Sequence, residues 1–379
     1  MGLMSTYEVD MRGIMGTVRK ASPAKRLCAL CGAVVITLAT AEMALRLFAP
    51  FSDYTSRSIR SFPDQYHPIL GYSGVPRLDT LFILPDFRHR IVNNSRGFRD
   101  KERDYEKGDR KRIAVLGDST AWGWGVEAED RFSDIMERQL KGWEVINLAQ
   151  AGYSTDQELL VLETEGLTYR PDLVILLFDR NDVVEGNNAK IIDGIQPKPF
   201  FVEEGDRLVL KNTPVPCDRA YWMKKTMLAQ SYGVPGGDRD SRRSWRYWRE
   251  EYFTKSHLYN WLTFRLSHPV WSRSEPSEAK SDRRELEKSM RLTKRLLKEI
   301  DSLCTQNGAR LIIADIHSIY SPLLQDFCRE EKIRYVDLDP PLRRRIRPIA
   351  HRRVGHWNRY GHRIVAEAII DYLRKSDYI

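Results

Sequence analysis

The sequence is poor in cysteine, with five among 379 residues at scattered positions. That scarcity excludes a disulfide scaffold, a zinc ribbon and an iron–sulfur array. It holds no internal repeat and no low-complexity tract, which removes solenoids, propellers and fibrous architectures. Disorder as the main theme is excluded too, because a chain that is 42% hydrophobic and 10% aromatic can bury a core. At about 150 residues per domain, the length allows two units or one α/β domain with insertions. Lys plus Arg exceeds Asp plus Glu by 61 to 52, and the net charge of +9 makes anionic surfaces plausible neighbours.

The longest apolar stretch runs from Leu27 to Ala49 and is interrupted only by Glu42 and Arg46. As a helix it spans about one bilayer thickness. Arg12, Arg19, Lys20, Lys25 and Arg26 precede it, a positive flank that stays on the cytoplasmic side and sends the rest of the chain across. The reading is a signal-anchor of the inner membrane, with residues 1–26 cytoplasmic, residues 27–49 transmembrane and the remainder periplasmic or otherwise extracytoplasmic. A cleaved signal peptide is the nearest alternative, since the clean apolar part, Leu27 to Ala41, has the length of an h-region. Cys28 and Cys31 fall inside this stretch, so their CxxC reads as small apolar residues rather than a redox pair. Cys304 and Cys328 can pair only in an oxidising compartment, which the spacing does not decide.

Residues 50–110 read as an extended lead-in rich in Pro, Asp, Arg and Ser. From Arg112 the pattern changes to short β-rich apolar runs at 112–116, 144–148, 173–178, 310–314 and 334–338. Helical patterns separate them at 131–140, 155–167, 282–304 and 359–373. In the third of these, Leu286, Met290, Leu297, Ile300 and Cys304 form one apolar stripe. Strands apolar throughout and alternating with helices predict a parallel sheet covered on both faces, so the fold class is α/β, doubly wound. Residues of about 190–280 break the alternation and read as an insertion that opens with a hairpin around Gly205-Asp206. Its aromatic and basic stretch fits a lid or a wall of the ligand crevice equally well.

After the first of the core strands comes Gly117-Asp118-Ser119-Thr120, a sharp turn that sets a hydroxyl at the carboxyl edge of the sheet. The second leads to NLAQAGYSTDQ, where Gly152 N–H can donate to an oxyanion, and the third to FDRND, where the Asn181 carboxamide can do the same. GHWNRYGH, just before the last helix, offers His356 as a base. A serine needs a base to become a nucleophile at neutral pH, and the tetrahedral oxyanion it forms needs preorganised donors. Trp122 and Trp124, with Asp118, are candidates for the wall of the substrate site, core packing being the alternative for the tryptophans. His362 reads as a packing residue of the final helix and His317 as structural. Eight arginines and no acid lie between Pro341 and Arg363, either a solvated basic face or an attractor for an anionic substrate. Nucleic-acid binding fits poorly beside this motif and outside the cytoplasm.

These four blocks in order resemble the SGNH (GDSL-like) hydrolases. The similarity extends to membrane-anchored bacterial members associated with surface polysaccharide, through the N-terminal helix, NNSRGFRD (Asn93 to Asp100), GDSTAWGWGV and the PVP at Pro214 to Pro216. The resemblance covers residues of about 65–375. It implies a three-layer α/β/α flavodoxin-like core, with the hydrolase domain over 111–379, and acyl-ester chemistry with no metal or cofactor. It puts the nucleophile on Ser119, the base on His356 and the oxyanion donors on Ser119 N–H, Gly152 and Asn181. The implied activity is an esterase or acyltransferase acting on O-acyl, above all O-acetyl, esters of a glycan or another acyl-ester substrate. A catalytically impaired glycan-binding or assembly protein and a lipase or phospholipase are the rivals. Two departures stand out. The third block carries Asp179-Arg180 ahead of Asn181-Asp182 where the family usually has GxND. The acid that the family places two or three residues before the histidine is replaced by Arg353 and Val354, which leaves Asp182, Asp337 and Asp339 as candidates for its role.

Overall fold

The computed structural model describes residues 22–48, 64–84, 87–184, 186, 197–217, 222, 258, 283–316, 318–344, 348–351 and 356–379. Contacts divide the chain into residues 1–53 with 239–273, and residues 54–238 with 274–379. In the first unit, helix α1 (Pro23–Phe48) contains a 22-residue stretch, Pro23–Ala44, with mean hydropathy 1.9 and none of it buried. It is long and apolar enough to cross a membrane. Thr37 and Thr40 return their hydroxyls to the carbonyls one turn back at 2.8 Å, so neither breaks the apolar surface with a free donor.

The second unit opens with two antiparallel hairpins, β1 (Asp64–His67) with β2 (Gly71–Gly74), and β3 (Asp79–Leu84) with β4 (Phe87–Val92). The core follows: β5 (Lys111–Leu116), a short α2 (Ser119–Trp122), α3 (Phe132–Gln139), β6 (Trp143–Asn147), α4 (Thr155–Thr164), β7 (Leu173–Phe178) and a single turn α5 (Asn181–Val184). A hairpin of β8 (Phe200–Glu204) and β9 (Arg207–Lys211) precedes α6 (Arg283–Gln306), β10 (Arg310–Asp315), α7 (Ser321–Glu331), β11 (Arg334–Asp337), α8 (Asp339–Arg343) and α9 (Arg359–Lys375). The five core runs read from sequence are strands within a residue or so at each end. The lead-in, expected to be extended, is instead folded into hairpins up to Val92.

The central sheet runs β11-β10-β7-β5-β6, and each adjacent pair is parallel. Counting these strands in chain order gives 2-1-3-4-5, the flavodoxin-like order, with its reversal between β5 and β7. Side chains of a strand alternate between faces, and here both faces are dry. Ala114, Leu116, Ile146, Val174, Leu176 and Ile313 pack with residues of α4, α6 and α7. Ile113, Val115, Val145, Leu173, Ile175, Leu177 and Ile312 pack on the other side with residues of α3 and α9. This is an α/β/α three-layer sandwich. Each large aliphatic residue so buried stabilises the fold by about 1.5–3 kcal/mol. Cys304 and Cys328 are both buried in the first of these layers as free thiols, and burial pushes each up to about 12.

Candidate active site

Ligands of such sheets bind where neighbouring strands lead to opposite faces, at their carboxyl ends. Here that place lies between β5, followed by Ser119, and β7, followed by Asn181. Gly117 makes the turn out of β5 at φ +147°, and an added Cβ would meet Ala121 Cβ at 2.5 Å, so a side chain has no room. Asp118 then caps α2 through Oδ1, which accepts from Thr120 N at 2.7 Å. Ser119 is the first residue of that helix, where backbone N–H groups lack intrahelical partners and point outward.

Ser119 Oγ lies 2.7 Å from His356 Nε2, across 237 residues of sequence. With the ring proton on Nδ1, the hydroxyl donates to Nε2 in the geometry of a nucleophile and its base. The loop before α9 holds the imidazole in place. Ala350 and Trp357 form an antiparallel bridge, His351 N–H donates to the His356 carbonyl at 2.9 Å, and Asn358 N–H donates to Ile349 O at 2.7 Å. Asn358 then caps α9 by accepting from Tyr360 and Gly361. Trp124 closes one side, its ring 5.8 Å from that of His356.

Gly152 sits at φ +81°, and a Cβ there would lie 2.8 Å from the Tyr72 hydroxyl. That hydroxyl donates to Ala151 O at 2.9 Å, so the lead-in pins the loop that carries the candidate amide donor. Asn181 Nδ2 donates to Tyr153 O at 3.0 Å, which ties the loops after β6 and β7 together. Its Oδ1 is buried and finds no hydrogen-bond partner among the described residues. The Ser119, Gly152 and Asn181 loops thus converge on the switch point, with the Ser119–His356 pair beside them.

Two candidates for the substrate wall are buried. Trp122 is buried in the core among Val115, Phe132 and Ile175, with the Arg99 guanidinium 4.6 Å from its ring centroid, because α2 turns that side chain inward. Asp118 is buried and spent on its cap, and its Oδ2 is only a distant 3.5 Å from Ser119 Oγ. Burial raises its carboxyl pKa. Trp124 is buried as well, but its ring lies beside that of His356 at a tilt of 31°.

The acids considered as substitutes for the missing triad member point to other partners. Asp182 accepts from Thr155 Oγ1 at 2.9 Å and from Asp179 N–H at 2.8 Å, Asp337 accepts from Asp339 N–H, and Asp339 pairs with Arg343 at 2.6 Å. Arg353 and Val354 lie outside the described residues, as do His317 and most of the insertion. Asp179, unranked from sequence, is a carboxylate that interacts electrostatically with the histidine. Burial and the nearby Asp118 push its pKa up to about 6, while the Arg180 amide and the charge of His356 pull it down. Its signal was the departure from GxND.

Sequence reasoning also missed what holds the serine loop. Arg99, from the NNSRGFRD stretch, is buried and donates to Gly123 O and Val126 O at 2.7 Å each and to Arg90 O at 3.0 Å. Burial and the neighbouring Arg131 lower its pKa to about 9. Arg131 in turn donates to Arg99 O and pairs with Asp134. His362, read as a packing residue, is buried at a pKa of about 3, driven down chiefly by desolvation, and its ring stacks on Phe132.

The fold and site define an α/β protein with a serine–histidine pair at the switch point of its sheet. No protein-family model matches the sequence, and no curated protein matches it either. Solved structures resemble it distantly. They include TesA at 11% identity, covering 70% of this chain and 99% of that one with a TM-score of 0.39. The psychrotrophic esterase EstA from Pseudoalteromonas sp. has 10% identity, coverage of 71% and 100%, and a TM-score of 0.39. The acetyl xylan esterase AlAXEase has 12% identity, coverage of 69% and 99%, and a TM-score of 0.35. Resemblance at this level assigns no residue role.

Proposed function

We propose that the chain is a serine esterase or acyltransferase that acts on O-acyl esters of a glycan, O-acetyl above all, and is held at the inner membrane by α1 with its α/β unit outside the cytoplasm. The observation that carries the reading is the 2.7 Å approach of Ser119 Oγ to His356 Nε2 at the sheet's switch point. Ser119 Oγ attacks the acyl carbonyl while His356 takes its proton, and Ser119 N–H, Gly152 N–H and Asn181 hold the developing oxyanion. His356 then protonates the departing alkoxide, leaving an acyl-Ser119. Water, or a sugar hydroxyl, attacks that ester as His356 takes its proton, and His356 passes that proton to the departing Ser119 Oγ, which restores the serine. The order of events is the same for hydrolysis and transfer, so the acceptor alone separates them. Asp179 contributes a negative field that favours the imidazolium form of His356. The glycan assignment is supported by the motif resemblance in the sequence, and the membrane assignment by the exposed apolar α1 behind its basic flank.

The test is turnover of p-nitrophenyl acetate, longer acyl esters and O-acetylated polysaccharides by the full chain in detergent, beside Ser119→Ala. Acetyl release from the polysaccharides, lost in the variant, is the expected result. Preference for long acyl chains turns the reading toward a lipase, and turnover that survives Ser119→Ala overturns it.

A further inference from the structure

Two acids are buried where α4 meets the turn of α5: Glu158, only 1% exposed, and Asp182, fully enclosed. Both oxygens of Asp182 are used. Oδ1 accepts from Thr155 Oγ1 at 2.9 Å, and Oδ2 accepts from Asp179 N–H at 2.8 Å. With Asp182 N–H donating to Asp179 O at 3.2 Å, the second contact closes the turn that carries Asn181. Glu158 lies one helical turn beyond Thr155 on the same face of α4, which brings its carboxyl within hydrogen-bond reach of Asp182. Neither of its oxygens accepts from any donor among the described residues.

Two neighbouring carboxylates in a dry site cannot both be ionised. The donors decide which of them keeps the proton. Asp182 is supplied with two and is the acceptor, whereas Glu158 has none and is itself the donor. Burial raises the Glu158 pKa well above the ordinary carboxylate range, and the charges of Asp182, Asp118 and Asp156 add to the rise. Other groups nearby are neutral or matched. Lys198 is buried against Asp156. Helix α6, packed along α4, buries the neutral Met290, Thr293 and Leu297. On β8, Glu203 pairs with Arg291 and Arg295, and Glu204 with Lys211.

We propose that Glu158 is a positioning residue: it stays protonated at neutral pH, donates to Asp182, and so fixes the turn that sets Asn181 at the oxyanion site. Its effect on turnover rests on the ester chemistry proposed above, whereas the proton itself can be read without turnover. Melting curves of the full chain in detergent, wild type beside Glu158→Gln, read it between about pH 5 and pH 8. Folded wild type holds a proton that the unfolded chain has released above the ordinary carboxylate range, so its stability falls as pH rises through that window. The Gln amide has no such proton to lose, so the variant's melting temperature should climb relative to wild type's with pH. Curves that stay parallel would overturn the proposal.

Turnover of p-nitrophenyl acetate reads the positioning. Glu158→Leu, of similar size but without a donor, should lower kcat about tenfold at unchanged KM, short of the roughly 10²–10³-fold cost of a lost oxyanion donor. Glu158→Gln, which still donates to Asp182, should recover most of that loss. A folded Leu variant with wild-type kcat, or a Gln variant as slow as the Leu variant, would overturn the positioning role. A wild type that turns over no ester would remove that role together with the ester reading, while the melting curves would still decide where the proton lies.

Discussion

Among single residues, the serine and the histidine act as a unit, so either one removed should cost nearly as much as both. Ser119→Ala and His356→Ala should each lower kcat by about 10⁴-fold or more, with the double variant little worse. Additive losses, read from the same ester assay, would show that the two side chains do not work together. Asp179 offers a pH signature. Its folded pKa, raised to about 6 against an ordinary 3.8, means the folded chain holds a proton that the unfolded chain has released between those values. Stability is therefore lost as pH rises through about 4 to 6, and the full penalty stands above that. Asp179→Asn keeps the site neutral, so its melting temperature should fall less across that window than wild type's. The same change removes the charge that Asp179 sets against His356 and should lower kcat/KM. Melting curves that run parallel in the two proteins would contradict this account of Asp179. The positions of Ser119, Gly152 and Asn181 after strand ends, and of His356 before the last helix, were legible because the apolar strand runs mark those ends. The burial of Asp118 and Trp122 was not legible, because a four-residue helix turns its side chains by 100° per position and sequence does not say which way it faces.

The elements read from sequence were those whose pattern follows from burial on both sides. β7 (LVILLF) is buried at every position, and such a run has few other places to go in a folded chain. The stripe on α6 was equally plain, with Met290, Leu297, Ile300 and Cys304 all in the core. The hairpins of the lead-in escaped because DQYH against GYSG carries no alternating apolar signal. Their pairing is set instead by tertiary partners, such as Tyr66 Oη donating to Val215 O at 2.6 Å and Tyr153 Oη donating to Tyr72 O at 2.6 Å. The serine loop depends on this lead-in through Arg99. Arg99→Met leaves the Val126 carbonyl without its Arg99 donor and the Gly123 carbonyl with only the Val126 N–H at 3.3 Å, at about 1–3 kcal/mol for an orphaned group. The variant should melt well below wild type and lose activity although residue 99 touches no substrate. A variant with wild-type melting temperature and turnover would show that the loop stands without it. Gly152→Ala should also lower kcat, since φ +81° and the 2.8 Å approach to the Tyr72 hydroxyl force the loop to shift. Unchanged kcat there would remove Gly152 from the oxyanion site.

For the whole molecule, the strand order 2-1-3-4-5 decides where chemistry can occur. It puts the ends of β5 and β7 on either side of one crevice, where Ser119 meets His356 from 237 residues away. Alternation of strands and helices in the sequence implied a parallel sheet but not its order. That order depends on which loops cross which face, a choice made by packing of α3 and α9 on one side and α4 and α6 on the other. The position of the N-terminal basic residues relative to α1 predicts that a reporter fused after residue 60 is extracytoplasmic. A cytoplasmic signal would reverse the proposed topology.

The central claim is that Ser119 is an activated nucleophile, and fluorophosphonate labelling of the full-length protein tests it most directly. An activated serine displaces fluoride to form a covalent phosphonyl ester, which intact mass reports. The account predicts one adduct on wild type and none on Ser119→Ala or His356→Ala, each folded as judged by its melting curve. A folded wild-type protein that stays unlabelled, or labelling that persists in Ser119→Ala, would contradict it.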